Sequence, residues 1–226
     1  MLAGLSLFSA TDAGAQGEKL SGVGSATRWA HPAKQMPVRS KPKSNSRRVT
    51  STHFQTEDGF PEVYIALSSK LDRQGASWIR IRVPMRPNGR TGWVRREALG
   101  PLYRVDTKLV VNRNRGRAAL YNYGKRIWKA PIGTGAPGTP TPGGNFWIRE
   151  KFRTGEPGGL YGPVAFGTSN YSVLSDWPGG GVIGIHGTNE PGLIPGSPSH
   201  GCIRVRNGAV LRLFKLMPVG TPVFIH

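Results

Sequence analysis

Glycine and proline interrupt this chain so often that long helices have little room: 32 glycines and 19 prolines stand among 226 residues. Glycine costs entropy inside a regular element and proline removes a backbone donor, so this punctuation favours short strands joined by turns. The expected fold is mostly β. The last part of the chain differs, because Val210, Leu213, Phe214 and Met217 recur at i, i+3, i+4 and i+7. That spacing predicts a short helix, with Asn207 as its N-cap and Pro218 as its stop. The closing GTPVFIH reads as a final strand.

Strand signals begin in earnest near Val63. Trp78, Ile79, Ile81 and Val83 form one run, and a Pro-Asn-Gly turn leads to Gly92-Trp93-Val94. Lys108 to Asn112 predicts another strand. Ala118 to Tyr123, a Gly124-Lys125 turn and Ile127 to Ala130 predict a hairpin. The loop GTGAPGTPTPGG then leads into Phe146, Trp147 and Ile148, and further strands are expected at Val164 to Gly167 and Val182 to Ile185. The second of these ends at His186. The stretch PNGRTGWV resembles the small SH3-like β modules of bacterial envelope proteins, which places such a module at residues 53–102.

Charge narrows the surroundings. Lys and Arg number 31 against 12 Asp and Glu, a formal +19, which favours polyanionic neighbours such as nucleic acid, anionic lipid or a wall polymer. No recognised nucleic-acid motif accompanies the charge. Residues 1–52 read as a disordered basic tail, because residues 18–52 are rich in Ser, Pro, Lys and Arg and have too little apolar surface to offset ordering. Arg39, Lys41, Lys43, Arg47 and Arg48 are its basic centre, expected to hold the protein against anionic envelope polymers. At the start, a short apolar stretch and the triplet Ala13-Gly14-Ala15 read as the remnant of a signal region. No run of about 18 apolar residues is present, so no spanning helix is expected in the chain as given.

The chain has one cysteine, Cys202, in the stretch IHGTNEPGLIPGSPSHGCIRVRN. A lone cysteine has no partner for an intrachain disulfide, which leaves a buried filler, an intermolecular disulfide, a metal ligand or a nucleophile. Its polar, glycine-rich neighbours make a poor burial site. A nucleophile needs help in reaching the thiolate, since a free thiol has a pKa of about 8.5. Either His186 or His200 can take the proton; the strand-end His186 is the more rigidly aimed. The N–H groups of Gly201 and Cys202 are expected as oxyanion donors. His186, His200 and Cys202 also have the donor types of a zinc site, though with no evident fourth ligand.

The pair IHG (185–187) and SHGCIRV (199–205) resembles the catalytic motif of YkuD-type L,D-transpeptidases, as do YNYGKRIWKAPIGTGAPGTPTPGGNFWI and the closing GTPV. The resemblance covers residues 103–226 and implies a β-sandwich with a short helix after the catalytic loop. It implies Cys202 as nucleophile, His186 as general base, and the Gly187 main-chain oxygen as the group that orients the imidazole. His200 and Gly201 match the part of the motif near the oxyanion hole, while Arg204 and Ser199 fall on the substrate side. Arg204 would hold a stem-peptide carboxylate. The implied reaction transfers the acyl part of a peptidoglycan tetrapeptide stem to Cys202, with loss of the terminal D-residue, and then to a diaminopimelate amine of another stem. Water as acceptor would give an L,D-carboxypeptidase. The resemblance implies neither cofactor nor metal, and an extracytoplasmic location; a non-catalytic wall-binding protein is the alternative outside enzyme chemistry.

Overall fold

The structure, a computed structural model, describes residues 17–22, 26–176 and 178–226. The expected signal remnant therefore lies outside the described residues. Seven strands form the first sheet: β1 (Thr27–Ala30), β2 (Pro37–Arg39), β3 (Arg48–Ser51), β4 (Tyr64–Leu71), β5 (Ser77–Arg82), β6 (Thr91–Arg95) and β7 (Tyr103–Val105). Their spatial order is β3-β2-β6-β5-β4-β1-β7, and adjacent strands pair antiparallel.

This sheet corrects the expectation of a disordered tail over residues 18–52. β1 lies between β4 and β7, with Trp29 paired to Ile65 on one side and Tyr103 on the other. Ala30 and Val38 are completely buried. A segment with few apolar residues is ordered here because its partners come from beyond residue 60, which local composition cannot register. The basic cluster sits on the β2–β3 hairpin, where Arg39 Nη1 donates to the Ser46 carbonyl at 2.7 Å. Removing residues 1–52 is thus expected to destroy the first sheet rather than untether it, and circular dichroism and thermal unfolding of the truncated protein should show loss of its cooperative transition.

The second sheet comprises β8 (Thr107–Asn112), β9 (Arg117–Asn122), β10 (Lys125–Gly135), β11 (Gly144–Arg153), β12 (Val164–Tyr171), β13 (Val182–His186), β14 (Gly196–Ser199), β15 (Ile203–Val205) and β16 (Pro222–Ile225). The order runs β14-β10-β15-β13-β12-β11-β16-β8-β9. β10 turns the sheet back on itself: Lys125 to Pro131 pair with β9, whereas Ile132 and Gly133 pair with β15. Every residue of β12 is buried, so the strand beside β13 has a rigid setting. The helix α1 (Asn207–Leu216) adds Val210 and Leu213 to the core. Asn207 is its first residue and not its cap; the Asn207 Oδ1 instead accepts the Thr188 N–H at 2.8 Å, tying the helix to the chain just after Gly187.

The two sheets are joined by buried polar bonds. Arg149 of β11 donates from Nε to Glu62 Oε1 at 2.8 Å, from Nη2 to Glu62 Oε2, and from Nη1 to Glu57 Oε2 at 2.8 Å. Burial opposes the charge on Arg149, but the two carboxylates outweigh it and raise the guanidinium pKa. Trp147 Nε1 donates to the Val63 carbonyl at 2.7 Å, and Trp29, Val63, Ile65, Val105 and Trp147 form an apolar cluster between the sheets. Breaking such a buried pair by removing one partner costs about 3–5 kcal/mol, because the remaining charge is stranded.

Candidate active site

Parallel pairing of β13 with β15 builds the site. Ile185 faces Ile203 and His186 faces Arg204, so the same register sets Gly184 opposite Cys202. Residues two apart on a strand share a face; His186 and Cys202 therefore look into one cavity, which both of them line. The Gly184 N–H donates to Cys202 Sγ at 3.3 Å. A Cβ at Gly184 would stand in ordinary van der Waals contact with both reactive groups, 3.6 Å from His186 Cδ2 and 3.8 Å from Cys202 Sγ. Gly184 was not singled out from the sequence, although its place two residues before a strand-end histidine was a usable signal.

The imidazole is fixed from behind. His186 Nδ1 lies 2.6 Å from the Gly187 carbonyl; a carbonyl accepts and cannot donate, so Nδ1 carries the proton and Nε2 is left with a lone pair. The Tyr161 ring meets the imidazole edge-on at 4.9 Å. Burial pushes the His186 pKa down to about 4, with Arg204 adding to the fall and the Gly187 carbonyl opposing it. Burial likewise pushes the Cys202 thiol up, against weaker pulls from the Gly184 N–H and Arg204. Both shifts favour the neutral forms, an imidazole able to accept a proton beside a thiol that has yet to give one.

The turn between β14 and β15 is held by its own side chains and by the Gly/Pro loop after β10. Ser199 Oγ donates to the Cys202 carbonyl at 2.6 Å and accepts the Gly201 N–H at 3.1 Å. The buried Ser199 hydroxyl, expected on the substrate side, and the Gly201 N–H, expected as an oxyanion donor, are here both engaged within the turn. Thr141 Oγ1 donates to the Gly201 carbonyl at 2.7 Å, and the Ala136 N–H to the Ser199 carbonyl at 2.8 Å. Gly201 has φ +125°, and a Cβ there would come 2.7 Å from Ile183 Cδ1. Gly201→Ala is expected to strain the turn by about 1–3 kcal/mol and to lower the rate of Cys202 modification, read by timed alkylation beside a thermal melt.

Arg204 is buried and donates from Nη1 to Glu190 Oε2 at 2.6 Å, while its Nε has no protein partner. His200 is exposed at the mouth of the small depression that Arg204, Ser199, Cys202 and His186 line. The structure thus gathers His186, Gly187, Ser199, His200, Gly201, Cys202 and Arg204 at one place. Among the described residues no three His, Cys, Asp or Glu side chains converge with the geometry of a metal site. A cavity of about 530 Å³ also lies between the sheets, lined by Arg82, Arg104 and Phe146, but it lacks both Cys202 and His186.

A family model described as the YkuD L,D-transpeptidase catalytic domain matches residues 106–225, just over half of the chain. The chain belongs to the YkuD family. Bacillus licheniformis YkuD is 35% identical over 121 residues, covering 54% of this chain and 66% of that protein. Bacillus subtilis YkuD is 38% identical over 102 residues, covering 45% and 55%. The matches span less than two thirds of the length of these two relatives. An NMR structure of the catalytic domain of an Enterococcus faecium L,D-transpeptidase aligns at 25% identity with TM-score 0.40, covering 54% of this chain and 97% of that one. The YkuD match begins at Asp106, one residue after β7 ends, so the first sheet precedes the YkuD domain.

Proposed function

We propose that this chain is a peptidoglycan L,D-transpeptidase in which Cys202 is the nucleophile and His186 the general base. The observation that supports it best is the parallel β13–β15 register, with His186 Nδ1 anchored on the Gly187 carbonyl and Nε2 free to face the thiol side of the cavity. His186 Nε2 takes the Cys202 proton as Sγ forms a bond to the acyl carbon of a tetrapeptide stem. The Cys202 N–H is read as an oxyanion donor. The imidazolium then protonates the leaving amine of the terminal D-residue, and the carbon–nitrogen bond breaks to leave a thioester. In the second half an amine of another stem attacks that carbon, its proton passes to His186, and the electron pair of the broken carbon–sulfur bond returns to Sγ. His200 shapes the turn beside Cys202.

Arg204, already charged-paired with Glu190, is read as the carboxylate-binding group of the donor side through its unpaired Nε. The first sheet is read as an SH3-like module on its PNGRTGWV hairpin, and the +19 charge as an attraction to anionic envelope polymers outside the cytoplasm. Incubation with tetrapeptide-bearing wall fragments, followed by mass spectrometry, tests the reading. Cross-linked dimers are expected. Trimmed stems without dimers would make the protein an L,D-carboxypeptidase, and unchanged stems would refute both.

A further inference from the structure

The cavity on the β11–β12 side of Cys202 is not made by the YkuD domain alone. Its volume is about 450 Å³, and Asp58 and Phe60 from the first sheet's side of the molecule form one wall, facing Glu150, Phe152 and Phe166. The loop that brings them is firmly built: the Thr56 N–H donates to the Phe60 carbonyl at 2.7 Å, and Gln55 bridges to Pro61. Thr56 Oγ1 then donates to Glu150 Oε2 at 2.5 Å, fastening the loop to β11. The Phe60 and Phe152 rings stack with centroids 5.1 Å apart and planes 15° from parallel.

The lining has a definite chemistry. Aromatic faces form an apolar wall, and two carboxylates, Asp58 and Glu150, stand together on it in a chain whose acidic groups are outnumbered 31 to 12. The small depression that adjoins this cavity at Tyr161, Val182, His186 and Cys202 has Arg204 in its wall. Cys202 and His186 thus line both a depression with the Glu190-paired Arg204 in its wall and a larger cavity with an anionic, aromatic wall. An acyl transferase must admit two substrates to one thioester, and this asymmetry distinguishes them.

We propose that the anionic cavity is the acceptor site and takes an alkylammonium group, with methylenes against Phe60 and Phe152 and the cationic head on Asp58 and Glu150, so that the first sheet helps to select the acceptor. The assignment rests on the acyl-transfer reading given above. Burial and the neighbouring Asp58 raise the Glu150 pKa to about 7, against the lowering effects of Thr56 and Arg149; a cation placed between the two carboxylates relieves that repulsion. Glu150 takes one proton from the bound ammonium, the neutral amine attacks the thioester carbon as its second proton passes to His186, and the electron pair of the broken carbon–sulfur bond returns to Sγ, which His186 then reprotonates.

The test uses the full chain acylated by a tetrapeptide stem, with the fate of the acyl group read by mass spectrometry as 6-aminohexanamide is added. Asp58 is exposed, so Asp58→Asn should fold. It should raise the amine concentration needed for half the acyl group to go to aminolysis by about tenfold, as expected for loss of a charge-assisted contact. Glu150→Gln should shift it in the same direction. With hydroxylamine, which is uncharged at neutral pH, the partition should stay as in the parent protein. An unchanged partition with 6-aminohexanamide, or an equal shift with both nucleophiles, would overturn the acceptor assignment. No acyl adduct in the parent protein would instead remove the acyl-transfer reading, and this assignment with it.

Discussion

Cys202→Ser is expected to abolish acyl-enzyme formation and turnover of tetrapeptide stems while leaving the fold intact. Cys202 is the sole cysteine of the chain and lies against the Gly184 N–H, so a hydroxyl fits the space. Serine is far less acidic than a thiol, however, and the His186 base was arranged for a group that already loses its proton with difficulty in this buried setting. The loss should reach the detection limit. An alkylating reagent should label the parent protein once, and the variant not at all. A carbapenem, which YkuD-type enzymes typically accept as a pseudo-substrate, should add one covalent equivalent to the parent and none to the variant. Turnover of the variant at the parent rate would show that the nucleophile lies elsewhere.

His186→Ala should slow acylation by about 100- to 10,000-fold, the range for losing general base help. The pH profile carries more information than the magnitude. Because burial holds His186 near a pKa of about 4, it stays neutral and competent at pH 7, and acylation should fall only as pH drops through about 4. The His186→Ala variant should lack that acid limb. His200→Ala should lower the rate through the geometry of the turn beside the thiol, but it should retain the limb. Measuring acylation rates from acid to neutral pH separates the two histidines; a limb lost from the His200 variant and kept by the His186 variant would exchange their roles.

The elements that carry the candidate site were legible because they depend on short-range features. A strand ending at His186, a glycine at 187 and a turn through Gly201 can be read in sequence, and the β13–β15 pairing then joins two nearby segments. The mostly β character, the β8–β10 strands and the helix before Pro218 were legible for the same reason, since alternation and i, i+3, i+4 spacing are local. The direction of individual polar groups was not. Ser199 and the Gly201 N–H turn toward each other within the tight loop, and Asn207 reaches Thr188 rather than capping its helix. β1 and β2 were missed because their burial comes from partners distant in sequence, and β3, which pairs only with β2, was missed with them. The Thr56–Glu150 bond, closing a separation of 94 residues, shows why the acidic wall beside Cys202 had no sequence signature.

The most direct measurement is the intact mass of the protein quenched during turnover of a tetrapeptide stem, followed by mapping of the modified peptide. The account predicts one added mass equal to the stem without its terminal D-residue, carried on the peptide that contains Cys202 and absent from Cys202→Ser. Sustained turnover with no such adduct under rapid quenching, or an adduct on any other residue, would contradict it.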